Sequence, residues 1–350
     1  MSEAVAKPAP VGQPGVSPEV VNLRQIGRLE RALGPENYRI LTGLLKTPAS
    51  ITGFVLIALF IFIAVAAPLI APPVNPSDPY KIPRDGFSST PRPMGSVWNR
   101  NQPPLPFWWK PLTGTDKWTH VLGVSTGQYD IFYSIIWGTR TAFETGILVV
   151  VATLIIGVFI GSIAAYYGGW VDNVLMRIVD IMLTLPFILA ALILAAIITP
   201  KVGKSVWPAV IALIVFGWMT YARIVRSDIL TVKERDYVMA ARVIGVKDSR
   251  ILFRHILPNA IFPTMVLASL GIGDVVLSFA ALSFLGIGTE IGYADWGQML
   301  SFARNWITSL STYWYIVVWP GLTLVLFVMG WNLVGDALRD VLDPRLRGKS

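Results

Sequence analysis

Six stretches of this chain are apolar over about 20 residues or more, the length a helix needs to cross roughly 30 Å of hydrocarbon. They fall near residues 50–71, 142–166, 175–199, 207–227, 259–286 and 314–335. A backbone inside a bilayer must satisfy its own polar groups, so such runs fold as packed helices; barrel strands would alternate over about 10 residues instead. Charged residues make up 14% of the 350, against roughly 25% in soluble domains. The expectation is an all-α integral membrane protein with about six transmembrane helices. Pro68, Gly157, Pro186, Pro208, Gly271, Gly273 and Pro320 fall within spans, where neighbouring helices accommodate them. Ala64-Val65-Ala66 is compatible with a signal cleavage site, but the run around it is long and about 50 polar residues precede it, so the first span reads as an uncleaved anchor.

The formal charge of +8 is informative through its placement. Basic residues crowd the connection between spans four and five (Arg223, Arg226, Lys233, Arg235, Arg242, Lys247, Arg250, Arg254), the N-terminal region (Arg24, Arg28, Arg31, Arg39, Lys46) and the C-terminus (Arg339, Arg345, Arg347, Lys349). With six spans these three regions share one side, and the positive-inside rule makes that side the cytoplasm, with both termini there. The connection between spans five and six carries only Arg304. The charge is a topology signal, with membrane lipid rather than nucleic acid as its surroundings.

Residues 1–49 form a cytoplasmic tail, disordered up to about residue 20, where Pro8, Pro10, Pro14 and Pro18 crowd, with a basic amphipathic surface helix expected over 22–46. The first span occupies 50–71. Residues 72–133 are a long Pro- and Trp-rich connection including PPLPFWWKP at 103–111; its aromatic content predicts a packed cap on the outer face. Tyr129 to Trp137 reads as an interfacial helix with Tyr133 and Trp137 at headgroup level. Residues 134–347 hold five further spans and a charged connection over 228–258.

Catalytic chemistry finds no foothold. Gly-Lys-Ser occurs at 203–205 and 348–350, but a phosphate loop needs a Gly five positions earlier, where Ile198 and Asp343 stand. Gly286, Gly288 and Gly292 lack the dinucleotide spacing and follow a helix. There is no Cys, and His120 and His255 fall on opposite sides of the membrane, so neither a metal site nor a catalytic residue is assigned.

The connection at 236–258, DYVMAARVIGVKDSRILFRHILP, is charged and amphipathic between two apolar spans. A helix is expected over 234–244, with Asp236, Tyr237 and Arg242 on it and Ala240 and Ala241 small enough for a partner's backbone to approach. Gly245 permits the turn that ends it, Asp248 can cap the next helix, and Pro258, after Leu257, stands where a span begins and a missing N–H costs little.

This stretch resembles the cytoplasmic loop of permease subunits of ATP-binding cassette importers, whose pattern runs Glu-Ala-Ala, three residues, Gly, nine residues, Ile, one residue, Leu-Pro. Ala240, Ala241, Gly245, Leu257 and Pro258 keep that register; Met239 replaces the Glu and His255 the Ile. The dipeptide and oligopeptide permeases of the C type are similar elsewhere: Ala67-Pro68-Leu69-Ile70-Ala71-Pro72, Tyr167-Gly168-Gly169-Trp170 with Asp172, Met176, Arg177, Asp180 and Pro186, then Ala222-Arg223 with Arg226, Leu282-Ser283-Phe284-Leu285-Gly286, Trp296-Gly297 with Met299-Leu300, and Gly335-Asp336 with Leu338-Arg339-Asp340. The likeness covers about residues 45–347 apart from part of the first connection, where Gly123-Val124-Ser125 and Gln128-Tyr129-Asp130 depart from the family before Gly138 and Arg140 rejoin it.

The resemblance implies a type I-like importer subunit with a cytoplasmic coupling helix, forming half of a translocation pathway for peptides in the inner membrane. It implies a second homologous permease, two cytoplasmic ATPase subunits holding ATP and Mg, and an extracytoplasmic binding protein. The chain itself would carry no cofactor and no enzyme activity. Related importers carry nickel or oligosaccharides, which keeps those cargoes open.

Charges inside spans cost about 2.5–3.5 kcal/mol each at mid-bilayer on insertion scales, so they face cavities or partners. Glu144, Asp180 and Asp274 are such groups. Asp180 is expected to pair with Arg177; Asp274, beside Gly271 and Gly273, is expected to line the pathway, with Pro186 and Phe279 as further candidates. Phe279 stands where the family commonly has a Glu, five residues or about 140° from Asp274, which would suit a less charged or larger ligand. Two readings of other classes remain: an ion-coupled secondary transporter using the three carboxylates, and a membrane-anchored scaffold whose first connection binds a partner.

Overall fold

The computed structural model describes residues 42–45 and 47–342. The chain divides into two units, Met1–Thr42 and Gly43–Ser350. Of the first, only Thr42 is among the described residues, so the architecture is that of the second. The Pro-rich tail, the surface helix over 22–46 except residues 42–45, and Arg345, Arg347 and Lys349 lie outside the described residues.

Helix α1 (Pro48–Ile70) begins where Thr47 accepts a hydrogen bond from the Ser50 N–H at 3.2 Å, with Pro48 in the first turn. Its last carbonyls are claimed by two indoles: Trp108 donates to Ile70 at 3.0 Å and Trp137 to Ala71 at 2.9 Å. Helix ends leave such carbonyls without partners, and these two bonds fasten the Trp-rich connection to the end of α1.

That connection holds α2 (Trp109–Thr113) and isolated antiparallel pairings, Arg84 with Tyr129, Arg92 with Val124 and Val97 with Thr119; no strand forms among the described residues. Trp98, Trp109 and Trp118 pack as one cluster. Beside it Asp85 is buried and accepts from Arg92, from the N–H of Arg100, and from the N–H of Asn99 at 2.9 Å. Burial opposes ionisation of Asp85, but these backbone and Arg92 bonds, with His120, hold its carboxyl below the usual range. His120 is fully buried, with Nδ1 2.6 Å from Asp130 and Nε2 2.9 Å from Arg92.

Asp130 in turn accepts from the Tyr133 N–H at 2.7 Å and caps α3 (Ile131–Tyr167). This corrects the expected interfacial helix. The aromatic run is the first part of one 37-residue helix, and Tyr133 and Trp137 are 1% exposed, packed inside the protein core. No proline interrupts the run after Asp130, so the helix continues unbroken, and the Tyr133 hydroxyl is satisfied internally by the Pro79 carbonyl at 2.7 Å.

The expected third span is two helices. Those are α4 (Gly169–Leu183) and α5 (Phe187–Val202), set 89° apart across residues 184–186. Pro186 has no N–H and biases Leu185 away from helical backbone. The first half is tied down by ion pairs to α6 (Trp207–Lys233): Asp172 accepts from Arg226 through two bonds of 2.5 Å, and Asp180 accepts from Arg223 at 2.5 Å. The expected Arg177 partner of Asp180 is thus replaced by Arg223. The second half packs Ala191 and Ala195 against α6.

Helices α3 and α6 form the centre of the bundle. Gly157 makes their close approach possible, because a Cβ there would meet the Trp218 carbonyl at 2.7 Å. After α6 come α7 (Asp236–Val243), a π-helical segment Ile251–Ile256, one turn Leu257–Ala260, then α8 (Phe262–Phe284), α9 (Trp296–Ala303) and α10 (Tyr315–Leu342). Among the described residues five helices, α1, α3, α6, α8 and α10, are continuous and apolar enough to cross a membrane, and the bent α4–α5 pair supplies a sixth crossing if counted as one.

Candidate functional site

Two regions outside the packed centre carry the candidate residues. In the first, α7 rests on the ends of α3 and α6. Val238 and Ala241 are buried against Ala165, Tyr166, Val225 and Ile229. Asp236, Tyr237, Met239, Ala240 and Arg242 point outward, and Val243 and Ile244 are 87% and 78% exposed. Of the two small residues, therefore, Ala240 alone lies on the open face.

The helix closes as a Schellman motif: the Gly245 N–H reaches the Arg242 carbonyl at 3.0 Å and the Val246 N–H reaches Ala241 at 3.1 Å. Gly245 takes φ +77°, the left-handed conformation that glycine adopts without strain, and open space surrounds its Cα. Asp248 is not a cap. It lies in the first turn of the next short helix, behind Lys247, and its carboxylate accepts from the Tyr166 hydroxyl at 2.5 Å. Lys233, ending α6, donates to the Ala165 and Tyr166 carbonyls at 3.2 and 2.9 Å, closing the C-terminal end of α3. Pro258 lacks the N–H that would bond the carbonyl of Arg254, which lies within the π-helical segment; Leu257 packs inward and Pro258 is exposed.

The second region is a cavity of about 270 Å³ among α3, α6, α8 and the α4–α5 break. Thr153, Thr220, Tyr221, Asp274 and Ser278 supply its polar atoms, while Leu183 and Phe187, on either side of residues 184–186, wall it with Leu213, Phe216 and Leu267. Pro186 thus acts on the cavity by setting the bend. Phe279 is not on it: 2% exposed, it belongs to the core and borders a separate void of about 10 Å³ beside Trp296.

The other carboxylates lie elsewhere. Glu144 accepts from the Tyr80 hydroxyl and borders another cavity of about 170 Å³ with Trp207 and Tyr293. Burial pushes the Tyr293 phenol up to about 12. Asp180 is held by Arg223. The three do not converge on one cavity, as an ion relay would require. In the connection before α9, Asp295 is fully buried; burial pushes its carboxyl up to about 6, although the N–H groups of Gly297 and Gln298 and the Ser283 and Thr289 hydroxyls oppose the shift.

Residues 157–348 match the family described as binding-protein-dependent transport system inner membrane component. The chain is also 37% identical over 306 residues to the dipeptide transport system permease protein DppC of Alkalihalophilus pseudofirmus, covering 86% of this chain and 88% of that one.

The chain belongs to this family of inner membrane components.

A similar relative is the dipeptide transport system permease protein DppC of Escherichia coli, 38% identical over 302 residues, 86% of this chain and 91% of that one. The glutathione transport system permease protein GsiD of Pectobacterium atrosepticum is 39% identical over 228 residues, 65% of this chain and 73% of that one. Among solved structures, a chain of the methionine ABC transporter in an inward-facing conformation superposes with TM-score 0.50 at 18% identity, over 61% of this chain and 98% of that one; this is a likeness of fold.

The region shared with the family holds α4 to α10, hence the whole α7 segment and all of the cavity lining except Thr153. Sequence reasoning named Asp274 but missed Tyr221, Thr220 and Ser278 as its companions. The signal was present in α8, where Gly271, Asp274, Val275 and Ser278 recur at helical spacing and so share one face.

Proposed function

We propose that this inner membrane component is the permease subunit of an ATP-driven peptide importer and forms half of the translocation pathway with a second, homologous permease. Two cytoplasmic ATPase subunits, holding ATP and Mg, would drive it, and an extracytoplasmic binding protein would supply cargo. The observation that carries this reading is the outward face of α7. Val243 and Ile244 project from a helix whose opposite face is anchored to the ends of α3 and α6, leaving an apolar surface beside Tyr237, Ala240 and Arg242 that suits a soluble partner.

The basic residues between α6 and α8 support a cytoplasmic placement of that surface, and with it of both termini. The α4–α5 pair supports a second permease: Val179 is the one buried residue of α4, and Ala191 and Ala195 those of α5, so this bent unit offers most of its surface to a neighbour or to lipid. ATP binding would draw the ATPases together, moving each α7 and, through Lys233, Tyr166 and Asp248, the ends of α3 and α6; hydrolysis would reset them.

The test is affinity purification of the tagged chain from mild detergent, scoring co-purifying subunits and ATPase activity together. Recovery of a second permease and two ATPase chains is the expected result. A lone chain without ATPase activity, under conditions that preserve complexes, would overturn the reading in favour of an ion-coupled carrier.

A further inference from the structure

Asp274 lies midway along α8, a helix long and apolar enough to span a membrane, and its residue is exposed in the isolated chain. Among the described residues its carboxylate accepts no hydrogen bond and enters no ion pair; the nearby Ser278 hydroxyl bonds the Asp274 main-chain carbonyl at 2.8 Å instead. Arg223 and Arg226, the cations of α6 nearest in sequence to the cavity-lining residues Thr220 and Tyr221, are already engaged by Asp180 and Asp172. An ionised group left unpaired at this depth is costly, and the cost is recovered when a positive charge arrives.

Its surroundings specify the rest of such a ligand. The cavity wall is mainly apolar, from Leu183, Phe187, Leu213, Phe216 and Leu267, while the polar atoms beside Asp274 are hydroxyls. Gly271, one turn away, leaves room for the Tyr221 hydroxyl, which a Cβ would meet at 2.5 Å. We infer that Asp274 is a specificity-determining residue that receives the cationic head, a primary ammonium, of a ligand whose apolar body fills the cavity. The inference rests on the peptide-importer reading, in which a peptide's N-terminal ammonium is that head. It also revises the expectation of a less charged ligand: Phe279 is outside the cavity, so the carboxylate dominates it.

The experiment is uptake by the assembled transporter, reconstituted with its partner subunits and binding protein, of dialanine and N-acetyl-dialanine. The binding protein is common to all samples, so a change in the ratio of the two rates reports the permease. Asp274→Asn is expected to lower kcat/KM for dialanine about tenfold or more, as for loss of a desolvated charge pair. The acetylated peptide should change less than about twofold, and Asp274→Glu should restore most of the difference. Assembly of each variant is checked by co-purification, and Asp274→Ser takes the place of the Asn variant if that one fails to assemble. Equal effects on both peptides, or none on either, overturn the inference and leave the importer reading standing. Wild-type uptake that collapses with an ionophore, a dependence lost in the Asn variant, also overturns it, because the carboxylate would then hold an inorganic cation. A wild-type complex that lacks ATPase partners or takes up neither peptide refutes the importer reading itself, before any variant is compared.

Discussion

The Tyr166 hydroxyl donates to the Asp248 carboxylate at 2.5 Å across 82 residues of sequence, joining the end of α3 to the segment that follows α7. The same Tyr166 lends its ring to Arg242 and its main-chain carbonyl to Lys233, so one residue gathers the end of α6, α7 and the segment after α7. Tyr166→Phe should destabilise this end of the bundle by about 1.5–3 kcal/mol, the range for a hydrogen bond to a charged group. It should also lower transport per ATP hydrolysed more than it lowers hydrolysis. Both rates in reconstituted complexes, with a melting curve, check it; equal loss of the two would point to simple instability.

Gly245 offers a second handle on the same segment. A Cβ would clash with nothing, so replacement acts through backbone strain alone, about 1–2 kcal/mol for an L-residue forced into the left-handed region. Gly245→Val should therefore reorient α7 and depress coupled transport, while Gly245→Asn, which tolerates that conformation, should stay close to wild type. Valine and asparagine variants with equal transport would remove Gly245 from the mechanism.

Asp295 makes stability depend on pH. Its carboxyl, raised to about 6 in the fold, binds a proton more tightly there than in the unfolded chain, so stability falls as pH climbs from about 4 to 6 and stays lower above. Asp295→Asn keeps a capping side chain but removes the charge. The gap in stability between pH 5 and pH 8 should shrink by about 1.4 kcal/mol, because only the one pH unit between 5 and the folded value of about 6 falls inside that interval and each unit is worth roughly 1.4 kcal/mol. Thermal unfolding at the two pH values reads this directly, and an unchanged gap would mean another group is responsible.

Asp85 has the opposite sign. Its carboxyl is held below the usual range, so its contribution is present above the unfolded value of 3.8 and is lost as pH falls through the folded one. Asp85→Ala should loosen the 72–130 connection at neutral pH by stranding Arg92 and the Asn99 and Arg100 N–H groups. Limited proteolysis should then cut between residues 84 and 120 faster than in wild type, and acidification of the wild type through the folded value, below 3.8, should reproduce the effect.

The spans were legible because continuous apolar length is a strong one-dimensional signal. Their direction was not: composition counts residues 175–199 as one crossing, whereas the turn at Pro186 depends on where Asp172, Asp180, Ala191 and Ala195 find partners on α6. The α7 segment was readable through Gly245, whose conformational freedom acts locally. Asp248 was not, since an acidic residue opening a helix can serve as a cap or reach a distant phenol, and only tertiary packing decides. Asp274 announced itself as a charge among apolar neighbours. Phe279, chosen by its family position, packs in the core on another face of α8, and only tertiary packing decides which face is buried.

The 89° corner at residues 184–186 turns the cavity wall into the vertex of a lever. One arm is tied to α6 by two ion pairs, and the other packs on it through Ala191 and Ala195 with Leu192 and Leu194 beside them. Leu183 and Phe187 stand on either side of that vertex, so the angle between the two arms sets the width of the wall in front of Asp274.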